Sequence, residues 1–284
     1  MLNPTETVPI FDARELRTRD FNEQFYRARK PVVVRNSIAD WNTRPWSPDY
    51  LKEVVGPRQV HVKYNENGIF DYNNSAGTGE VVDQAMDFAA AIDLICSPAG
   101  RHHYIAQEPL RRSFGGLQKD IARPGLLDRW KWLMSTNVWL GGRDCKSPLH
   151  FDWCDDLFVQ VQGSKKVTLF APELSDGLYP ASGRKLPHFS RLNVFSPVDT
   201  TAHPLFAEAY RRRLEVMLHP GYTLYIPLKW WHAVESLDTS LSLNFFWGGL
   251  DSWHEIQRLF KLIGVPMLRR GLLRAKRLLN GARL

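Results

Sequence analysis

HFDWCDDLFVQVQGSKKVTLFAP, residues 150–172, joins a polar opening to two runs of apolar, β-branched and aromatic residues that meet at a glycine. This pattern of residues predicts two short strands with a turn between them. Side chains two positions apart on a strand point to the same side of the sheet. His150 and Asp152 are therefore expected to share one face at the mouth of a strand, where an imidazole and a carboxylate can hold one metal ion.

The third ligand of such a site should come from a different strand. The best candidate is His232, in the aromatic segment GYTLYIPLKWWHAVESL at residues 221–237. Two histidines and one carboxylate on one face of an ion leave the opposite positions open, which is the ligand set of non-haem Fe(II) oxygenases. A zinc hydrolase can use a similar set with one water molecule, so His150, Asp152 and His232 alone do not fix the reaction.

The residues around this motif divide the chain into three predicted parts. From residue 135 onward, short period-two or aromatic segments separated by Gly, Pro and Asp predict the strands of a barrel or jelly roll over 135–250, and hence a mainly β fold. Before it, 1–134 mixes short strands with helices predicted at 13–30 and 81–97, all packing on the barrel. Beyond it, apolar residues at three- and four-residue spacing predict helices over 251–284.

Composition limits the compartment and the class of protein. The chain has 284 residues with 44% hydrophobic content, which indicates a globular protein with a sizeable core. Its three cysteines form no CxxC pair, which favours a reducing, cytoplasmic setting over a disulfide framework or a cysteine zinc site. No run of about 18 apolar residues occurs, so no transmembrane segment is expected. The first residues, MLNPTETVPIFDARELR, lack the basic start and apolar stretch of a signal peptide.

Several motifs follow one another in order at workable spacings. They are the segment FYRARKPVVVRNSIADWNTRPWSPDYLKEVVG at 25–56, HFD at 150–152, GSKK at 163–166, WWH at 230–232 and NFFW at 244–247. Together they resemble the JmjC or cupin-like 2-oxoglutarate oxygenases, nearest to their small hydroxylase branch, over about residues 8–250. The resemblance implies a double-stranded β-helix (jelly-roll, cupin-like) barrel with N-terminal α/β decoration and C-terminal helices.

The resemblance also implies the cofactors of the site. His150, Asp152 and His232 match the ligands of Fe(II) in that family. The family's cosubstrate is 2-oxoglutarate, and its oxidant is O2. Iron would then perform the difficult oxidation, while the protein orients the substrate and excludes water.

Four further residues match the family's contacts to 2-oxoglutarate: Lys165, Ser147, Tyr104 and Asn244. The lysine is expected to pair with the distal carboxylate, the two hydroxyl groups to hydrogen-bond it, and the amide to lie near the iron-bound end. Lys166 is the alternative to Lys165, but on strand alternation it should face the other way. Asp156 departs from the pattern, because many of these hydroxylases have Asn there. An aspartate would repel the anionic cosubstrate unless it is protonated, paired or turned outward.

The C-terminal segment 251–284 carries most of the chain's net charge. It has eight Lys or Arg residues against two acidic ones, a net charge of +6 out of +7 for the whole chain. It also carries an apolar stripe of Trp253, Ile256, Phe260 and Ile263. The resemblance implies a homodimer through C-terminal helices, with the basic face outward. Alternatively, the basic segment contacts nucleic-acid phosphates or an acidic membrane surface.

These features predict an Fe(II)- and 2-oxoglutarate-dependent dioxygenase that hydroxylates a C–H bond. The expected substrate is a protein side chain, with a tRNA base second and a small molecule or peptide natural product third. Hydroxylation is preferred over lysine demethylation because no reader or zinc domain is expected beside the barrel. The alternative from a different class is a non-catalytic metal-binding cupin-like protein, against which the triad together with Lys165 argues.

Overall fold

The computed structural model describes residues 7–42, 46–72, 74–127, 132–181 and 188–248. By the density of contacts, Met1–Trp247 form one compact unit and Gly248–Leu284 form a second. The helices predicted for 251–284 lie outside the described residues. Within the described part of the chain, no helix is long and apolar enough to cross a membrane.

Among the described residues, strands are the commonest regular element. In chain order they are β1 (Ile10–Asp12), β2 (Val32–Arg35), β3 (Gln59–Tyr64), β4 (Val82–Asp87), β5 (His103–Pro109), β6 (Trp132–Gly141), β7 (Lys146–Phe151), β8 (Asp155–Gln162), β9 (Lys165–Phe170), β10 (Leu214–Leu218), β11 (Thr223–Ile226), β12 (Trp231–Ser236) and β13 (Ser240–Gly248). The α-helices are α1 (Thr18–Phe21), α2 (Pro48–Val55), α3 (Phe88–Ile95), α4 (Leu110–Ser113) and α5 (Phe206–Arg211). A π-helical turn spans Asn22–Tyr26, and 3-10 turns span Pro98–Gly100, Gly115–Asp120 and Pro172–Leu178.

The strands form two sheets that pack face to face. One sheet has nine strands in the order β1-β2-β11-β8-β13-β6-β5-β3-β4, and the other has four in the order β10-β9-β12-β7. From β7 to β13 the chain changes sheet at most connections, which is the winding of a jelly roll. Apolar side chains of both sheets, such as Phe158 on β8 and Leu169 on β9, share one core cluster. The prediction of a mainly β fold is confirmed.

The N-terminal strands belong to the same sheet as the barrel strands. β2 pairs antiparallel with β11, and β5 pairs antiparallel with β6. The nine-stranded sheet therefore continues through the predicted boundary between 1–134 and 135–250. The assignment of 1–134 as a segment that packs on the barrel, and of 135–250 as the barrel itself, stays a prediction.

Two predicted helices are shorter than expected. The helix predicted for 81–97 begins only at Phe88, because Val82–Asp87 pairs along β3 in continuous antiparallel register. Asp87 ends that strand and caps α3, since its carboxylate accepts the N–H of Ala89 at 2.8 Å. The helix predicted for 13–30 is limited to α1 and the π-helical turn that follows it.

The central strands β8 and β13 are buried on both faces. Their odd-numbered residues, such as Leu157 and Phe245, pack in one cluster with Phe21 and Phe25 of the N-terminal helical segment. Burial of each large apolar side chain contributes roughly 1.5–3 kcal/mol. Because strand side chains alternate, the even-numbered residues of β8 and β13 face the space between the two sheets. Several of those residues are polar, and they form part of the site.

Candidate metal centre and cosubstrate pocket

Three side chains with metal-ligating atoms meet beside β7 and β12. His150 lies near the end of β7, Asp152 follows the last residue of that strand, and His232 is the second residue of β12. β12 pairs with β7 so that His232 stands directly opposite His150, and their ring centroids are 4.2 Å apart. Nε2 of His232 lies 3.6 Å from Oδ2 of Asp152. One ligand atom from each of the three residues lies within 4.8 Å of the others.

Backbone carbonyl groups orient both imidazole rings. Nδ1 of His150 is 2.7 Å from the carbonyl oxygen of Pro148, and Nδ1 of His232 is 3.1 Å from that of Trp230. A carbonyl oxygen only accepts hydrogen bonds, so each Nδ1 carries the proton. The lone pair is then on Nε2 of each ring, which is the atom available to a metal ion.

Burial disfavours charge on His232 and on Asp152. It lowers the pKa of His232 well below the ordinary value, and the neighbouring His150 adds to this effect. Burial also raises the pKa of Asp152, which His150 and His188 partly offset. Two imidazoles that each present Nε2, together with a carboxylate that is costly to bury, form a site that a divalent cation stabilises.

Aromatic side chains border the triad. Phe189 forms a single β-bridge with His150 and stacks on its ring, with centroids 5.3 Å apart and 15° between the planes. His188 packs edge-on against the indole of Trp153, with ring centroids 6.2 Å apart. The sequence prediction missed Phe189 and His188, because no strand pattern marks the residues around them.

Lys165, the first residue of β9, is fully buried between the two sheets. Its Nζ donates to Oγ of Ser242 at 2.8 Å and lies 3.5 Å from the hydroxyl oxygen of Tyr104. The ammonium group is also 5.3 Å from the ring centroid of Phe158. No carboxylate among the described residues pairs with it, and burial lowers the pKa of Lys165 to about 7. A buried ammonium without a counter-ion is costly, so this pocket favours an anionic ligand.

Lys166 has the opposite environment. Its side chain is 37% exposed, and its Nζ pairs with a carboxylate oxygen of Glu215 at 3.0 Å. Strand alternation turns the two adjacent lysines to opposite faces of β9. The structure therefore places the predicted cosubstrate lysine inside and its alternative outside.

Hydroxyl groups cluster around the Lys165 ammonium. Tyr104 on β5 is buried, and the side chain of Ser147 on β7 lies near its hydroxyl group. Burial raises the pKa of Tyr104 well above its ordinary value, so the phenol stays protonated. Ser242 on β13 completes the cluster, and the sequence prediction missed it. Strand alternation offered a signal, because Ser242 lies two residues before the predicted Asn244 and shares its face.

Asn244 and Asp156 meet on the inner faces of β13 and β8. Nδ2 of Asn244 donates to Oδ2 of Asp156, and both side chains are buried. Burial raises the pKa of Asp156 well above its ordinary value, and the charge of Asp152 adds to this effect. The structure thus turns Asp156 inward, beside the amide and on the side of the triad.

Comparison with known proteins identifies the family. A family model described as "Cupin-like domain" matches residues 18–252. The chain belongs to this family. The Jumonji C domain-containing protein 5 of Drosophila melanogaster is 30% identical over 247 residues, which cover 84% of this chain and 59% of that protein. The Lysine-specific demethylase JMJ30 of Arabidopsis thaliana is 34% identical over 230 residues, which cover 80% of this chain and 52% of that protein. The chain spans between half and three fifths of these relatives.

A third cupin-like relative matches over more of its own length. The tRNA wybutosine-synthesizing protein 5 of Mus musculus is 27% identical over 264 residues, which cover 87% of this chain and 80% of that protein. Membership of the cupin-like JmjC family confirms both the predicted resemblance and the predicted cupin-like fold. Members of this family are typically Fe(II)- and 2-oxoglutarate-dependent oxygenases.

Proposed function

We propose that this protein is an Fe(II)- and 2-oxoglutarate-dependent dioxygenase that hydroxylates a C–H bond, with a protein side chain as its favoured substrate. The observation that carries the proposal is the fully buried Lys165, which has no anionic partner among the described residues. By strand alternation, Lys165 and His232 lie on the same face of the paired strands β9 and β12, and His232 belongs to the triad with His150 and Asp152. A metal triad alone fits several chemistries, whereas a triad beside an unpaired buried ammonium fits a dianion that also binds the metal.

The donor set of the triad fits Fe(II). The Nε2 atoms of His150 and His232 and a carboxylate oxygen of Asp152 would hold the ion, and three side chains leave coordination positions open. When bound, Fe(II) with 2-oxoglutarate and O2 supplies the oxidant that hydroxylates the substrate, and 2-oxoglutarate is converted to succinate and CO2. The carbonyl groups of Pro148 and Trp230 keep both rings in the orientation that binding needs.

The hydroxyl cluster fits the distal carboxylate of 2-oxoglutarate. The Lys165 ammonium would pair with that carboxylate, and the hydroxyl groups of Tyr104, Ser147 and Ser242 would supply further hydrogen bonds. Hydrogen bonds to a charged group contribute roughly 1.5–3 kcal/mol each. The amide of Asn244, two residues beyond Ser242 on the same face of β13, would then lie toward the metal-bound end.

Apolar side chains keep water away from the same space. Phe158 covers the Lys165 ammonium on one side, and the ring of Trp139 lies 5.8 Å from that of Tyr104. Phe189 covers one face of His150. Exclusion of water strengthens the electrostatic interactions of the site and protects a reactive oxidant from side reactions.

The comparisons support two classes of macromolecular substrate. A protein side chain is proposed first, because relatives named lysine-specific demethylases reach 34% identity. A tRNA base is the second candidate, because the relative named for tRNA wybutosine synthesis is covered over 80% of its length. Oxidation of a C–H bond is the common step of both proposals. The choice between a protein and a tRNA substrate would depend on the surfaces that bind the macromolecule, which lie outside the metal site.

Formation of succinate from 2-oxoglutarate tests the proposal. With Fe(II) and ascorbate in air, the protein should form succinate, and His232→Ala should not. The proposal fails if the wild-type protein binds the metal but forms no succinate, with or without candidate substrates. The non-catalytic, metal-binding cupin-like protein would then be the better explanation. Mass spectrometry of proteins and of tRNA incubated with the wild type or with His232→Ala then identifies the substrate by the gain of one oxygen atom.

A further inference from the structure

β8 carries two adjacent aspartates in opposite environments. Asp155 faces the N-terminal segment, and its carboxylate accepts hydrogen bonds from Arg29 Nη1 at 2.9 Å, the Tyr225 hydroxyl at 2.8 Å and the Leu228 N–H at 3.1 Å. Asp156 faces the space between the sheets, where the amide of Asn244 is its one side-chain donor among the described residues. Both aspartates are almost fully buried. The Asp155 carboxylate thus has a cation and two further hydrogen-bond donors, whereas Asp156 has one amide donor.

The Asp156–Asn244 pair leaves two buried oxygen atoms unsatisfied. Oδ1 of Asp156 and Oδ1 of Asn244 are shielded from solvent and have no hydrogen-bond partner among the described residues. In the pairing of β8 with β13, Asp156 stands opposite Phe246 and Asn244 opposite Phe158, so the two polar residues are diagonal neighbours on one face. A buried acceptor without a hydrogen bond destabilises the folded protein. One proton on Oδ1 of Asp156 would satisfy both atoms, because Oδ1–H could donate to Oδ1 of Asn244.

We propose that Asp156 is held as the neutral acid, its Oδ1–H donating to Oδ1 of Asn244, and that this acid–amide pair keeps the pocket wall free of negative charge for an anionic cosubstrate. The pair then has two hydrogen bonds, one from the Asn244 amide to Oδ2 and one back from the acid. The protonation of Asp156 does not depend on the proposed function of the protein. The identity of the anion as 2-oxoglutarate rests on the proposed function.

The location of the pair explains why its charge matters. On the inner face of β8, the Phe158 ring lies 5.3 Å from the Lys165 ammonium. Asp156, two residues earlier on the same face, interacts electrostatically with Asp152 of the triad. The pair therefore lies between the cationic end of the pocket and the metal ligands. A carboxylate there would repel both Asp152 and a dianion bound between these two ends.

The electrostatic surroundings agree with a neutral Asp156. Burial is the largest cause of its raised pKa, the charges of Asp152 and Asp155 raise the pKa further, and the Asn244 amide lowers it. Among the described residues, the ionisable groups that interact with Asp156 are Asp152, Cys154 and Asp155. A raised pKa means that the proton is present at low pH and is lost as the pH rises. Anion binding should therefore weaken as Asp156 ionises, in addition to any weakening from loss of the Lys165 proton.

Infrared spectroscopy of the protein tests the proton without any turnover. The carbonyl stretch of a protonated carboxyl group is separate from the bands of carboxylates. At neutral pH, the wild type loaded with Mn(II) should show one such band that Asp156→Asn lacks, and the exposed Asp83→Asn should retain it. The amide introduced at position 156 can donate to Asn244 Oδ1, so the variant should fold. A spectrum in which Asp156→Asn removes no protonated-carboxyl band overturns the proposal.

Calorimetric titration of 2-oxoglutarate into the Mn(II)-loaded proteins tests the effect on binding. Near neutral pH, the wild type and Asp156→Asn should bind within about threefold of each other, and the wild type should lose affinity more steeply as the pH rises. An affinity about tenfold higher for Asp156→Asn near neutral pH would show a charged Asp156 and overturn the proposal. Binding by neither protein at any pH would refute the proposed function, and the infrared band would still decide whether Asp156 carries the proton.

Discussion

His150 and His232 stand directly opposite each other on paired strands, with ring centroids 4.2 Å apart. Strand pairing thus brings together two imidazoles from distant parts of the chain without relying on a loop. Nε2 of His232 is at the same time 3.6 Å from a carboxylate oxygen of Asp152. Sites that are built on regular elements hold their geometry better than sites on loops, which suits a metal centre.

Replacement of one triad residue should abolish turnover. His150→Ala, Asp152→Ala and His232→Ala should each eliminate Fe(II)-dependent succinate formation, because loss of one ligand opens a coordination site and loosens the ion. Metal content measured after dialysis should fall in parallel. The exposed His219→Ala is a suitable control and should keep both. Near-normal turnover by His232→Ala would show that another residue is the third ligand.

The two adjacent lysines should differ in their effect on the cosubstrate. Lys165→Ala should raise the 2-oxoglutarate concentration for half-maximal turnover by roughly tenfold to a hundredfold, because a charged hydrogen bond worth roughly 1.5–3 kcal/mol is lost. Metal binding should remain. Lys166→Ala should change neither quantity, since that side chain pairs with Glu215 outside the pocket. The reverse result, with Lys166→Ala losing affinity, would show that the strand register is wrong by one residue.

The buried Lys165 should make stability depend on pH. Burial lowers its pKa from 10.5 to about 7, so between these values the unfolded chain binds the proton more tightly than the folded protein. The free energy of unfolding therefore rises with pH across this window, by roughly 4–5 kcal/mol at most from this group. Lys165→Met should remove that rise in denaturant titrations at pH values near 7 and 9. Parallel pH dependence in the two proteins would contradict this explanation.

The proximity of His150, Asp152 and His232 and the central barrel could be predicted because their signals are local. Period-two alternation identifies both faces of β8 and β9, and the same rule separates Lys165 from Lys166. Ser242 lies within reach of that rule, since it shares a face with Asn244. No such signal marks Phe189, whose position depends on pairing with His150 across a long loop.

The misassigned start of α3 shows what local patterns cannot decide. Residues 81–97 have apolar side chains at helical spacing, but β3 offers Val82–Asp87 a complete set of backbone partners. Pairing with β3 therefore overrides the local helical pattern, and the helix begins where Asp87 can cap it. The charge state of Asp156 is likewise invisible in the sequence, because it depends on burial and on a neighbour from β13.

The ion pair between Asp155 and Arg29 should stabilise the fold. Asp155→Asn should lower the free energy of unfolding by roughly 2–3 kcal/mol, because the half-buried guanidinium and two further donors lose a charged acceptor. Glu23→Gln, at the exposed pair with Arg19, should cost under about 1 kcal/mol. Denaturant titration at neutral pH compares them. A cost for Asp155→Asn no larger than that for Glu23→Gln would show that the hydrogen bonds hold without the charge.

Removal of residues 251–284 should convert a dimer to a monomer and lower turnover without loss of the metal. The expectation rests on the stripe of Trp253, Ile256, Phe260 and Ile263, which is too apolar for an exposed helix. A shared interface would bury these side chains, at roughly 1.5–3 kcal/mol each. The segment's eight basic residues would remain outside, where they can attract an acidic substrate.

Light scattering on the intact and shortened proteins decides the oligomeric state. Ile256→Ser with Phe260→Ser should dissociate the dimer, whereas Arg269→Gln with Arg270→Gln should leave it intact, because the interface would be apolar and the charges would lie outside it. A full-length protein that is monomeric at every concentration refutes the dimer. If RNA binding that weakens with salt is lost together with the segment, the basic residues neutralise phosphates, and the tRNA base becomes the first candidate substrate.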